Sequence, residues 1–291
     1  MAALYTEIVA NTPRKSRGFG TFARRNPTII LGATLLFLMV VIAIAAPVLS
    51  GDPMSIAPAE RLKAPSIEHW FGTDLLGRDL CARTLYGARV SLVVGLSVAV
   101  LSVAIGLVMG LITGYYRRAD GYIMRVMDGM MTIPSILLAI ATVALTRGGM
   151  AIVVVAITVP EIPRVVRLVR SVVLSTRELA FVEAATVSGS RDLKIIRRHI
   201  LPSTIAPLIV QGTLIFASAI LAESSLSFLG IGVPPEIPTW GNMISAHRLY
   251  LASAPLTIFF PGAFLTVAVL AVNLLGDGLR DHLDPRLARR M

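Results

Sequence analysis

Charge is scarce in this chain. Of its 291 residues only 15% are Asp, Glu, Lys or Arg, against 55% hydrophobic, whereas a soluble domain carries about a quarter charged residues. That deficit, together with long uncharged runs, places the chain in a bilayer. Cysteine is nearly missing: the single Cys81 excludes an intramolecular disulfide and a Cys-based zinc cluster, and reads as a small packing residue. No GxxxxGK[ST] phosphate loop, HExxH or GxSxG occurs, and there is no Gly-Lys dipeptide at all. ATP binding of the usual P-loop kind and chemistry by the chain itself are therefore not expected. Acidic residues are outnumbered 17 to 27, for a net charge of +10. The surplus is not a nucleic-acid footprint. The basic residues lie in short pieces between apolar runs, the spacing that orientation in a membrane requires.

Six apolar stretches are present, at about Thr28–Leu49, Ser91–Gly114, Ile123–Leu145, Met150–Val169, Ala206–Leu229 and Leu256–Leu275. The first is long enough to cross a hydrocarbon core of about 30 Å. It follows Arg24 and Arg25, and Ala43-Ile44-Ala45 mimics a signal cleavage site. A signal peptide's apolar region has only ~7–15 residues, so a retained helix is the preferred reading. Six spans put both termini on one side. Twenty of the 27 basic residues share that side, which the positive-inside rule makes the cytoplasm. The resulting organisation is a cytoplasmic tail (1–27), a first transmembrane helix (28–50), an external segment (51–88), a transmembrane domain (89–280) and a cytoplasmic tail (281–291). In the second span Ser102, Gly106, Gly110 and Gly114 recur every fourth residue, which lines one helix face with small residues and lets another backbone approach. Packing within the bundle is the first reading and a subunit interface the second.

Between the fourth and fifth spans lies a polar, basic island, EAATVSGSRDLKIIRRHILP, from Glu183 to Pro202, within a loop of residues 177–202. Ala180–Ser188 reads as a helix ended by Gly189, which can take positive φ. Ser190 can cap a second helix, with Asp192 favourable near its start. There Leu193, Ile196 and Ile200 share one face while Lys194, Arg197 and Arg198 project elsewhere. Ala184 and Ala185 offer too little apolar area to anchor a surface helix in lipid, the plain alternative. A small-residue ridge with a basic flank suits insertion into a groove on a protein partner.

Glu183, Ala184, Ala185, Gly189, Leu201 and Pro202 match the spacing of the EAA loop of permease subunits of bacterial ABC importers. The site where that family usually carries isoleucine holds His199, and a His-Ile-Leu-Pro variant resembles the peptide branch. Three further stretches, His69–Leu92, Glu223–Ile244 and Asn273–Arg286, resemble the dipeptide/oligopeptide/nickel branch, and within it the second permease subunit. The resemblance covers most of the chain beyond the first span. It implies an all-α polytopic membrane protein with six transmembrane helices, the type I ABC importer transmembrane domain and a cytoplasmic coupling helix. It further implies a sister permease, two cytoplasmic ATPase subunits that hold ATP and Mg, and an external solute-binding protein. The chain itself would bind no cofactor. Import of di- or oligopeptides is the expected function, with nickel, glutathione or another small solute as alternatives. A self-sufficient secondary transporter is the reading from another class.

Other residues carry smaller expectations. Glu183 would pair with Arg197 or Arg198, or with the ATPase. Asp128 and Glu161 would meet Arg125 or Arg164, and the remaining span centres look free of ionisable groups, which argues against proton coupling. The charges between Phe71 and Leu92 form either an internal ion-pair lattice or a contact for the binding protein or the pathway mouth. Trp240 and Tyr250 fit interfacial anchors. His69, His199, His247 and His282 lie outside the apolar spans, so no histidine pair is placed for a metal in transit.

Overall fold

The computed structural model describes residues 26–146 and 149–283. The tails expected at 1–27 and 281–291 fall almost wholly outside those residues. Ten helices carry the described chain: α1 (Pro27–Leu49), α2 (Leu80–Tyr115), α3 (Arg117–Met131), α4 (Ser135–Ala144), α5 (Met150–Arg177), α6 (Ala180–Val187), α7 (Asp192–Ile195), α8 (Leu201–Phe228), α9 (Trp240–His247) and α10 (Leu256–Leu283). Among the described residues there is no strand, only a single bridge between Thr73 and Asp79.

Among the described residues four helices are long and apolar enough to cross a membrane: α1, α2, the joined α7–α8 rod and α10. The third expected span is not one rod. It is the pair α3 and α4, bent by 88°. Pro134 has no N–H to give and disfavours a helical residue before it, so the helix stops at Met131 and restarts at Ser135. The fourth expected span continues past Val169 to Arg177, through Pro160 and Pro163. Glu161, Arg164, Arg167 and Arg170 on this helix keep it out of the purely apolar set.

In lipid, helices gain little from hiding apolar surface from one another, so close backbone approach decides packing. The small-residue face of α2 supplies it. A Cβ at Gly106 would collide with Val165, and one at Gly110 or Gly114 would stand 2.5 Å from the Cβ of Val169 or Val173. Three glycines thus receive three valines of α5, all fully buried. One turn away the Ser102 hydroxyl donates to Thr158 O at 3.5 Å. A second close approach ties α1 to α10. Gly32 lies against the Leu275 backbone, and Gly278 lies against Ile29. Helix α1 is therefore packed closely into the bundle. Trp240 is fully buried and its Nε1–H donates to Thr84 O at 3.1 Å, so it is a core residue rather than an interfacial anchor. Tyr250 accepts from Arg61, within residues 51–88, at 3.1 Å.

Candidate functional site

The polar island folds as two short helices around a left-handed glycine. Helix α6 ends with Gly189 N–H donating to Thr186 O at 3.0 Å and Ser190 N–H donating to Ala185 O at 3.1 Å. That pair of bonds is the Schellman closure. Gly189 has φ +77°, and a Cβ there would meet nothing within 4 Å. Glycine is required by the backbone and not by crowding.

Because Ser190 completes this closure, it is not the cap of the next helix. Arg191 stands at that position, without a side-chain cap. Helix α7 lasts one turn and widens into a π turn over Ile196–Ile200. Pro202, in the first turn of α8, has no N–H for the carbonyl of Arg198, and just before it the ladder shifts to Leu201 N–H donating to Ile196 O. The wider turn changes the inward face. Ile195 and Ile200, five residues apart, are buried, whereas Leu193 is 76% exposed. The expected face of Leu193, Ile196 and Ile200 is corrected accordingly.

Glu183 and Ala184 are exposed, Ala185 is half-buried against the core, and Leu201 and Pro202 sit at the entrance to α8. Glu183 forms no ion pair among the described residues, so the expected link to Arg197 or Arg198 is absent. Instead it lines an open cleft of about 560 Å³ with Tyr115, Arg117, Arg177, Glu178 and Thr186. Around Gly189 the surface is unusual for water. Val187 is 84% exposed and Phe181 49%, beside the exposed cations Arg191, Lys194, Arg197 and Arg198. His199 touches the Phe181 ring, with centroids 5.9 Å apart.

This tip stands on a fixed base. Tyr115, at the end of α2, donates its hydroxyl to Asp192 at 2.9 Å. Arg177 donates to Tyr115 O at 3.2 Å. Arg170 grips Asp120 with two bonds of 2.6 and 2.7 Å, and Arg167 reaches Asp128 at 2.5 Å. Asp128 thus pairs across helices, not with the expected Arg125 or Arg164. Glu161 does meet Arg164, at 3.2 Å. Tyr115 is the residue the sequence reading missed. In sequence it marks the end of an apolar run, and nothing there indicates a partner 77 positions away.

At the opposite end of α2 the charges turn inward. Asp74 is fully buried, Arg78 Nε donates to it at 2.6 Å, and Arg83, 2% exposed, lies 3.6 Å away. The internal-lattice reading holds for this stretch. His69 bridges two carboxylates, with Nδ1 2.8 Å from Asp79 and Nε2 3.0 Å from Glu60. The hydrogen bond to Asp79 leads in raising the His69 pKa above its ordinary value, and Glu60 is held below the usual carboxylate range, first by Lys63 and then by His69. One ionisable group was overlooked inside an apolar stretch. Glu223 on α8 is fully buried and accepts from Ser227 at 2.8 Å and Ser91 at 3.2 Å. Its signal was the lone acid in the run from Ala206 to Leu229.

Residues 102–289 match the family described as the binding-protein-dependent transport system inner membrane component. A probable peptide ABC transporter permease of Sinorhizobium fredii is 56% identical over 289 residues, 99% of each chain. A dipeptide transport system permease of Alkalihalophilus pseudofirmus is 45% identical over 91% of this chain and 88% of its own. A glutathione transport system permease of Pectobacterium atrosepticum is 40% identical over 91% and 89%. With a membrane-spanning bundle of this shape and relatives matched along nearly their whole length, the chain belongs to the family of binding-protein-dependent transport system inner membrane components.

Proposed function

We propose that this chain is one permease subunit of an ATP-driven importer of di- or oligopeptides, with the α6–Gly189–α7 tip as its ATPase-coupling element. The observation that carries the reading is the tip itself, with exposed Phe181, Val187 and Leu193 and exposed cations mounted on a base of buried packing and charge-assisted bonds. Apolar side chains held out at a polar end lose nothing by entering a groove on a partner, and a rigid base carries the partner's movement into α2, α5 and α8. Glu183, Ala184, Ala185 and Gly189 would meet the ATPase, while Leu201 and Pro202 would fix the return into the membrane. Glu183 would find its charge partner across that interface.

In this arrangement both termini and the tip are cytoplasmic, six segments cross the membrane with α3–α4 as the broken one, and residues 51–88 lie outside. A sister permease completes the pathway, and two ATPase subunits bind ATP and Mg. A solute-binding protein delivers the peptide. Nucleotide drives the cycle only by binding one global state better than the other. Peptide as the substrate class is supported by the names of the relatives. Glutathione, which one relative is named for, is itself a peptide and stays within the same chemistry.

The chain's only cysteine is buried Cys81. A cysteine introduced as Val187→Cys is therefore a near-unique reporter. In the assembled complex it is expected to crosslink to an ATPase subunit, and in inside-out vesicles lacking ATPases to react with an impermeant maleimide. Labelling only from the opposite face contradicts the orientation. Failure of the reconstituted complex to import dipeptides with ATP and binding protein contradicts the function.

A further inference from the structure

Helix α3 has a face that the coupling element does not use. Its two acids are both engaged with α5. Asp120 accepts twice from Arg170, at 2.6 and 2.7 Å, and Asp128 accepts from Arg167 at 2.5 Å. Asp120 and Asp128 stand about 12 Å apart along their helix, whereas Arg167 and Arg170 stand only about 4.5 Å apart along theirs. Helix α3 therefore crosses α5 steeply instead of running beside it. The bend of 88° before Ser135 agrees, because α4 beyond it packs along α5. So α3 lies across the end of the bundle. It is the same end as the Gly189 tip, since α3 starts just after Tyr115, which holds Asp192.

On the side away from α5, Arg118, Tyr122, Arg125 and Gly129 recur at helical spacing and form one stripe. All four are exposed, Tyr122 to 76%, while Met127 on the opposite side is buried. Neither Arg118 nor Arg125 has an ion pair among the described residues. Beside the stripe an exposed apolar row runs from Val126 through Met131 and Ile133 to Leu137, which already belongs to α4 and the broken span. The cations call for an anion and the row calls for hydrocarbon. A phospholipid brings both in that order, a phosphate at the surface and acyl chains below it, and a guanidinium matches phosphate with two parallel bonds. A tyrosine between them suits headgroup depth. We infer that α3 is an interfacial helix whose Arg118–Tyr122–Arg125 stripe binds the headgroup of an anionic phospholipid. The inference rests on the six-span reading only for which leaflet supplies that lipid, the cytoplasmic one.

The test uses the full complex in phosphatidylcholine nanodiscs, with a fluorophore on Gly129→Cys. A Cβ there meets nothing within 4 Å, and the natural cysteine, Cys81, is buried. Quenching is titrated with phosphatidylglycerol or phosphatidylcholine carrying a nitroxide high on the acyl chain. Half-quenching should need about tenfold less of the anionic lipid or better, since each cation at an anionic surface contributes about fivefold. Arg118→Gln with Arg125→Gln should remove that preference, whereas Arg118→Lys with Arg125→Lys keeps the charge and should keep it. Equal quenching by the two lipids, or a preference that survives both glutamines, overturns the inference. So does a fluorophore shielded from the nitroxide lipids and from aqueous iodide alike, which would mean that a partner subunit covers the stripe. Peptide import by the unlabelled complex is recorded in parallel. Import without a lipid preference removes this site and leaves the import reading standing, and a lipid preference without import does the reverse.

Discussion

Around Gly189, Val187 and Leu193 are 84% and 76% exposed, and four cations stand in the open. Around Asp74, near the other end of α2, the Asp74 carboxylate and the Arg83 guanidinium are 0% and 2% exposed and form an ion pair at 3.6 Å. Both regions are polar and charged in sequence. They differ in whether their groups are satisfied within the chain. At the Asp74 end the charges shape the fold, and removing one leaves another buried and unpaired. At the Gly189 end the fold is complete without the side chains that project, so their chemistry is available to another molecule.

That contrast can be broken most forcefully at the buried end. Asp74→Ala leaves Arg83 buried without its carboxylate, and is expected to destabilise the subunit by about 3–5 kcal/mol. Thermal unfolding of the purified complex measures it, and a small shift would mean that this end is not the structural one. Trp240→Ala, which empties a fully buried site and loses the bond to Thr84 O, belongs in the same range, about 3–5 kcal/mol. At the open end the expected balance reverses. Val187→Lys and Leu193→Lys should change stability by no more than about 0.5 kcal/mol, as surface substitutions do, yet weaken association with the ATPase subunits, read by pull-down of the detergent-solubilised complex.

The smallest expected effect is a pH dependence within residues 51–88. The His69 pKa is raised in the folded protein, with Asp79 as the leading cause. Its stabilising contribution is therefore complete below the ordinary histidine pKa and fades as pH rises through the higher folded value. The difference in thermal midpoint between wild type and His69→Gln should shrink on going from mildly acidic to alkaline buffer. A difference that grows with pH would contradict the bridge between Asp79 and Glu60.

Local grammar made part of this legible. Gly189 could be assigned positive φ because a helix-forming run stopped there, and the four-residue spacing of Gly106, Gly110 and Gly114 marked a packing face without naming its partner. What sequence did not disclose depends on tertiary context. Tyr115 meets Asp192 only because α2 and α5 lock together through valines. Trp240 looks like an interfacial anchor until α2 covers it. The π turn before Pro202 moved the buried face from Leu193 to Ile195, since a 3.6-residue period was assumed where the ladder widened. Pro134 was visible inside the third span, and its effect, a bend of 88°, is what its missing N–H should produce. Pro160 and Pro163 lie inside α5, which runs on to Arg177, so proline alone does not fix a boundary where packing holds the helix on both sides.

The most direct test of the central claim lies at Gly189. A Cβ at Gly189 meets no neighbour within 4 Å, yet Gly189→Val forces a branched side chain into φ +77°, at a local strain of about 1–2 kcal/mol. The reconstituted complex carrying it should assemble and hydrolyse ATP but import far less peptide per ATP hydrolysed than wild type. Import per ATP equal to wild type would contradict the account, because the tip would then not be the element through which hydrolysis drives transport.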